Sequence, residues 1–308
     1  MVRNEIDRFG FSSQIQILHN LKYLPIKATC SWVHGWKWYD INDARLLGGY
    51  FNSDKYRTKI VTNIYQKKFL DSIGYKNVIV GGLPFAYFID SPFLINVETF
   101  TDRKIIAIAP KSQDGILLRR SFTEFVSSIL DEINLRNNVV LCVFSHNAND
   151  PLLKNLIDLN IPIIIGANPF NKLDLIRMKS LFLKFDFMIT NTIGSHIPYC
   201  ASLGLKVKVS TPFDERSFDD LILNHSYAKN DSTYLDYLIH VHSKRFFIDN
   251  FKNVFPLNSY SNDITSWGRT QIGIDHLLST DKIYELFGWT LKGKVRSFKE
   301  SIISKLHF

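Results

Sequence analysis

Lys104-Ile105-Ile106-Ala107-Ile108-Ala109-Pro110 is an unbroken apolar run closed by a proline and the polar loop Lys111-Ser112-Gln113-Asp114. The run suits a strand and is too short for a helix. Lacking polar alternation, it must be covered on both faces. Behind it, Ser121 with Glu124 three residues on forms a capping box, and Phe122, Phe125, Val126, Ile129 and Ile133 share one face, which predicts a helix over 121–136. The alternation continues, with strands predicted over 139–144, 162–165, 187–190 and 206–209 and helices over 151–159, 173–185 and 197–203. Buried runs separated by amphipathic helices mean parallel strands joined by crossovers, hence a doubly wound α/β sheet.

The first hundred residues repeat this grammar in shorter form. Strands are predicted over 28–33, 59–62 and 77–80, with a helix over 65–72 stopped by Gly74. The first strand runs into His34-Gly35-Trp36 and the last into Gly81-Gly82-Leu83-Pro84. Polar residues 98–103 mark a boundary, giving units of 1–100 and 101–225 followed by an aromatic-rich helical extension, 226–308, expected to pack back on both. The final helix, over 295–306, places Val295, Phe298, Ile302 and Leu306 on one face. Lys292, Lys294, Arg296, Lys299 and Lys305 stand around it against the single acid Glu300. Such a helix either packs its apolar face inward or lies on an anionic membrane surface.

The 308 residues exceed the usual single core, and 45% apolar with 21% charged residues is an ordinary globular balance. The formal charge of +8 suits anionic partners such as nucleotides or acidic headgroups; no nucleic-acid partner is expected. Cys30, Cys142 and Cys200 are far apart among apolar neighbours and read as buried thiols. There is no secretory leader pattern and no apolar stretch of spanning length, so a cytoplasmic location is expected, at most peripheral to a membrane.

In an open parallel sheet, ligands bind where the strands' carboxyl ends turn into the next helix. That rule selects Lys111, Ser112 and Gln113, then His146 between Ser145 and Asn147, then Gly166, and finally Thr190 to Ser195. In the last, Thr192, Gly194 and Ser195 open a helix with small hydroxyls and backbone N–H groups suited to a phosphate, and His196 follows directly. The alternative is a plain turn with Ser195 as N-cap. His34, among Trp32, Trp36 and Trp38, is the candidate general base, with Asp40 and then Asp43 as fallback carboxylates. His240 and His242 have strand-like spacing but no third ligand, and neither a metal nor a cofactor is expected.

Ile60-Val61-Thr62-Asn63, Gly74 and Val78-Ile79-Val80-Gly81-Gly82-Leu83-Pro84 resemble the end of the N-terminal domain of GT-B glycosyltransferases. Asp186 to Gly194-Ser195, with Tyr199-Cys200-Ala201-Ser202-Leu203-Gly204-Leu205-Lys206-Val207, is similar to the donor-binding strand–helix–strand of bacterial surface-polysaccharide transferases. His34-Gly35 is similar to the His-Gly of polymerases of teichoic-acid-like chains. The resemblance implies two Rossmann-like domains of GT-B type with a helical C-terminal extension. It implies a metal-independent glycosyltransferase with a nucleotide-sugar donor and a glycan or lipid-linked acceptor in O-antigen, capsule or lipopolysaccharide synthesis. Thr190 to His196, with Lys111 to Gln113, His146 and Gly166, would hold the donor. His34 or Asp40 would act as base, and Gly35 and Trp36 would stand on the acceptor side. An alditol-phosphate transferase and a non-catalytic nucleotide- or glycan-binding protein are the alternatives.

Overall fold

The computed structural model describes residues 11–20, 28–33, 35–48, 54–98, 104–109, 124–128, 138–149, 151, 153, 154, 161–211, 213–215, 218, 221 and 229–306. In chain order the elements are α1 (Phe11–Leu18), β1 (Ser31–Trp32), β2 (Lys59–Val61), α2 (Ile64–Ser72), β3 (Val78–Val80), β4 (Ile105–Ile108), β5 (Val139–Val143) and β6 (Ile163–Ile165). Then come α3 (Asp174–Phe182), β7 (Phe187–Thr190), α4 (His196–Ser202), β8 (Lys206–Val209), α5 (Ser232–Val241), α6 (Lys244–Phe251), α7 (Thr265–Gln271), α8 (Thr280–Phe287) and α9 (Leu291–Leu306). The chain divides into two compact units, the first of Met1–Ile95, Pro169–Lys179 and Arg269–Phe308, the second of Asn96–Asn168 and Ser180–Gly268. The helical extension is therefore shared: α5 and α6 belong to the second unit, α8 and α9 to the first.

The second unit is built on a fully parallel five-stranded sheet in the order β6-β5-β4-β7-β8. Ile105, Ala107, Val139, Leu141 and Val143 join Phe125 and Val126 in one core. The alternate residues Ile106, Val140, Met188 and Val207 are equally buried. Both faces of the inner strands are covered, which is why β4 and β5 carry no polar alternation, whereas the edge strand β8 alternates Lys and Val. The β8 edge is satisfied by residues 257–261: Ser261 N–H donates to Val207 O at 2.8 Å and Asn258 N–H to Val209 O at 2.8 Å. An edge paired in this way offers no free ladder. Phe247, Phe251, Phe255 and Trp267 form an aromatic cluster, with Phe251 and Phe255 stacked at 5.4 Å.

The first unit carries the parallel sheet β1-β2-β3. Its first strand is shorter than the sequence predicts because Thr29 N–H turns away to Phe287 O at 3.2 Å. Trp32 is fully buried, with Phe11 of α1 edge-on at 5.0 Å and Phe287 of α8 at 6.1 Å. Early and late segments thus meet on one small sheet. The Gly81-Gly82 turn is shaped by that meeting. Gly82 and Gly273 both have positive φ, and a Cβ on Gly82 would stand 2.6 Å from Gly273 O. Leu83 N–H donates to Ile272 O at 2.8 Å, so two backbones pass in direct contact where only glycine fits. The segment 169–179 is tied in through Ile176 N–H to the buried Gln14 Oε1 at 2.6 Å and through the Lys179 ammonium to Ser91 O.

The final helix corrects an expectation. α9 starts at Leu291 and buries Gly293, Glu300 and Ser304, while Val295, Phe298, Ile302 and Leu306 are exposed. Its polar face is the one that docks. Glu300 Oε2 accepts from Thr58 N–H at 3.1 Å and Oε1 from Thr58 Oγ1 at 2.6 Å. Arg296 pairs with Glu300 at 3.0 Å and donates to Leu286 O at 2.7 Å. Ser304 Oγ donates to Asp54 Oδ2 at 2.9 Å.

Replacing Glu300 with alanine strands the Arg296 guanidinium and Thr58 N–H, so a loss of about 2–4 kcal/mol is expected. Four of the five tryptophans, Trp32, Trp36, Trp38 and Trp289, lie in the first unit and Trp267 in the second, so tryptophan fluorescence in a urea titration reads this loss mainly as a lowered midpoint of the first unit. An unchanged midpoint would show that the clamp contributes nothing.

Candidate functional site

β4 and β7 are neighbours at the centre of the second unit's sheet, but β4 continues to β5 on one side and β7 to β8 on the other. The chain therefore leaves their carboxyl ends in opposite directions, opening the crevice in which α/β sheets of this kind hold ligands. Thr190 is the last residue of β7 and faces Ile108 of β4 and Val209 of β8. Three polar residues in succession, Thr190, Asn191 and Thr192, are buried at this point, and Gly194 and Ser195 reach solvent.

The turn is held from within. Thr190 Oγ1 donates to Ile108 O at 3.1 Å, bridging the two switch-point strands. Thr192 N–H donates to the same hydroxyl at 3.4 Å, and His196 Nε2 lies 3.1 Å from it. Burial lowers the His196 pKa from its ordinary 6.5 to about 4, against a weaker opposing hydrogen bond with the Thr192 backbone. The imidazole is therefore neutral near pH 7 and organises the turn rather than adding charge to it. Gly194 is required by the same ring, since a Cβ there would stand 2.9 Å from His196.

Ser195 is not a side-chain N-cap: it has helical φ and ψ, and its hydroxyl pairs with Tyr199 instead. Burial pushes the Tyr199 phenol up, so it stays protonated. Ile197 N–H is bonded to Gly194 O and Pro198 has no donor, so the start of α4 offers fewer free N–H groups than the sequence implies. From the β8 side, Asp214 N–H donates to Asn191 O at 2.7 Å and Ser210 N–H to Thr190 O at 2.7 Å. This brings a buried carboxylate, Asp214, to the base of the turn. No local pattern marks Asp214, which follows β8 by five residues in an irregular segment.

On the other flank, Ser145 N–H donates to Ala167 O at 3.2 Å, joining the ends of β5 and β6. His146 occupies the short 3-10 turn Ser145–Asn147. Gly166 has a packing reason of its own: a Cβ would meet Cys142 Sγ at 2.7 Å, and its N–H donates to Val143 O at 2.6 Å. Lys111, Ser112, Gln113 and His34 lie outside the described residues.

In the first unit, Gly35 and Trp36 follow β1. Trp36 is buried with Nε1 donating to Gln271 Oε1 at 3.0 Å, and so belongs to the core rather than to an open stacking surface. Asp40 is exposed. Asp43 caps the 3-10 turn Ala44–Leu47 and pairs with Arg45 at 2.6 Å, a structural use that leaves it unsuited as a base. His240 and His242 sit on and just after a helix, with His242 Nδ1 at 2.7 Å from Leu238 O, so the strand-like spacing does not apply. Among the described residues no cluster of three or more His, Cys, Asp or Glu is arranged to hold a metal, and the three cysteines are buried and form no disulfide.

The depressed His196 pKa carries a stability consequence. An unfolded chain protonates this ring near pH 6.5, whereas the fold resists protonation down to about pH 4. Stability is therefore lost as pH falls through that window, by a total of about 3 kcal/mol. His196→Gln is expected to be less stable near neutral pH but to show a flatter dependence between about pH 6.5 and 4, read as thermal midpoints. Parallel curves for the two proteins would remove His196 as the cause.

Scans of family models and of curated proteins gave no match to this chain. Among solved structures it is similar to a protein from Listeria monocytogenes assigned as a UDP-N-acetylglucosamine 2-epimerase, at 10% identity, 76% of this chain, 72% of that chain and TM-score 0.35. It is also similar to the spinosyn rhamnosyltransferase SpnG complexed with spinosyn aglycone, at 12% identity, 83% of this chain and TM-score 0.30. The chain spans 65% of the rhamnosyltransferase's length, just under two thirds. With likenesses this distant, the α/β assignment rests on this chain's own strand order and parallel pairing.

Proposed function

We propose that this protein is a glycosyltransferase of GT-B type that binds a nucleotide-sugar donor at the carboxyl edge of the second unit's sheet. The observation that carries the reading is Thr190 at the switch point, where buried polar residues end β7 and the solvent-reaching Gly194 and Ser195 follow. In this reading the backbone of the Thr192 to Ser195 turn and the Ser195 hydroxyl meet the donor phosphate, with Lys111, Ser112, Gln113 and His146 as its further partners. His34 takes the proton from an acceptor hydroxyl and the freed oxygen attacks the anomeric carbon. The bond from that carbon to the phosphate oxygen breaks, and the electron pair leaves with the nucleotide. In this reading the acceptor is a glycan or a lipid-linked acceptor in bacterial surface-polysaccharide synthesis.

A thermal-shift screen with CMP, UDP and GDP compounds tests the donor site. One nucleotide class is expected to raise the midpoint, and the Thr192→Ala, Ser195→Ala double variant to weaken that binding roughly tenfold or more. An undiminished shift in the variant would place the phosphate elsewhere. With the matching donor sugar, His34→Ala is expected to slow turnover by about 100-fold to 10,000-fold while leaving the donor shift intact. Unchanged turnover would exclude His34 as the base, and release of a nucleotide monophosphate together with transfer of an alditol phosphate would replace the sugar-transfer reading.

A further inference from the structure

α9 stands out because the fold buries its polar side. At about 100° per residue, Leu291, Val295, Phe298, Ile302 and Leu306 form one stripe, and Gly293, Arg296, Glu300 and Ser304 lie opposite. The stripe is open to solvent, with Phe298 at 68% and Leu306 at 76% exposure. The helix cannot roll to hide it. A Cβ on Gly293 would stand 2.2 Å from Glu285 O, so the polar side is seated on α8 at backbone contact, and the Arg296–Glu300 pair locks the rotation.

Lysines border the stripe on both sides, and one of them, Lys292, is paired with Glu285 of α8 at 3.0 Å. On the same helical projection Lys292 and Lys299 border one side and Lys294 and Lys305 the other. The helix's single acid, Glu300, is turned inward. A second copy of α9 would bring lysine rows against lysine rows. A flat anionic surface meets both the apolar stripe and its basic borders, with the long lysine stems reaching outward from the apolar plane.

We propose that α9 is an interfacial helix that seats the first unit on an anionic lipid bilayer, its apolar stripe in the headgroup boundary and Lys294, Lys299 and Lys305 against lipid phosphates. This does not depend on the enzymatic reading. Among the described residues no helix is long and apolar enough to cross a membrane, so the association is with one leaflet.

The test is co-sedimentation of the full chain with phosphatidylcholine vesicles with and without phosphatidylglycerol. Binding is expected on the anionic vesicles, weakening roughly tenfold or more on phosphatidylcholine alone and at high salt. Phe298→Ser with Ile302→Ser is expected to reduce binding roughly tenfold or more, at an unchanged urea midpoint because both residues are exposed. Lys294→Gln with Lys299→Gln and Lys305→Gln should remove most of the preference for anionic lipid. No binding of the unaltered chain to anionic vesicles, or equal binding by the serine variant, overturns the proposal. So does a dimer in solution that the serine variant disperses while vesicle binding is absent.

Discussion

The Glu300 carboxylate decides how the first unit is completed. It sits at 6% exposure between the Thr58 backbone and Arg296, and a carboxylate so placed is tolerated only while both partners stay. Its demand for those partners outweighs the tendency of Val295, Phe298 and Ile302 to turn inward. Burying the apolar face instead would gain several kcal/mol from hydrocarbon taken out of water but leave Thr58 and the α8 carbonyls Glu285 O and Leu286 O without Arg296 and Glu300. The specific hydrogen bonds win because α8 already covers the sheet: Phe287 occupies the place beside Trp32 that an apolar α9 face would otherwise fill.

A different constraint organises the second unit. Its central strands β4 and β7 are apolar to within one residue of their ends, and there Thr190 introduces a hydroxyl that bonds across to Ile108 O. From that single bridge the rest of the turn follows. Thr192 and His196 gather on the same oxygen, Gly194 makes room for the imidazole, and the β8 segment closes from behind through Asp214. The neutral His196 is thus a support for the loop, and Gly194 and Ser195 beside it are, like His196 itself, partly open to solvent.

Strands with unbroken apolar residues were readable because burial on both faces leaves only one kind of residue acceptable; β4 and β5 fall where their apolar runs do. The turn at Thr190 was readable for a related reason, since polar residues immediately after such a run mark a strand end. Three things were not readable. The orientation of α9 was hidden because periodicity finds an apolar face but not which side docks. The role of Gly82 was hidden because its partner, Gly273, is far away in sequence and gives no local sign. The reason for Gly166 was hidden likewise, since its crowding comes from Cys142 on a neighbouring strand.

The three-segment make-up of the first unit also has a temporal side. Its strands end at Val80, yet the helices that cover Trp32 and engage Thr58 begin after residue 269. At ribosomal rates of about 5–20 residues per second, the sheet waits roughly ten to forty seconds for them. The second unit's residues, all before 269, emerge in the meantime and can close first. During synthesis the earlier-made sheet is thus the later one to be finished.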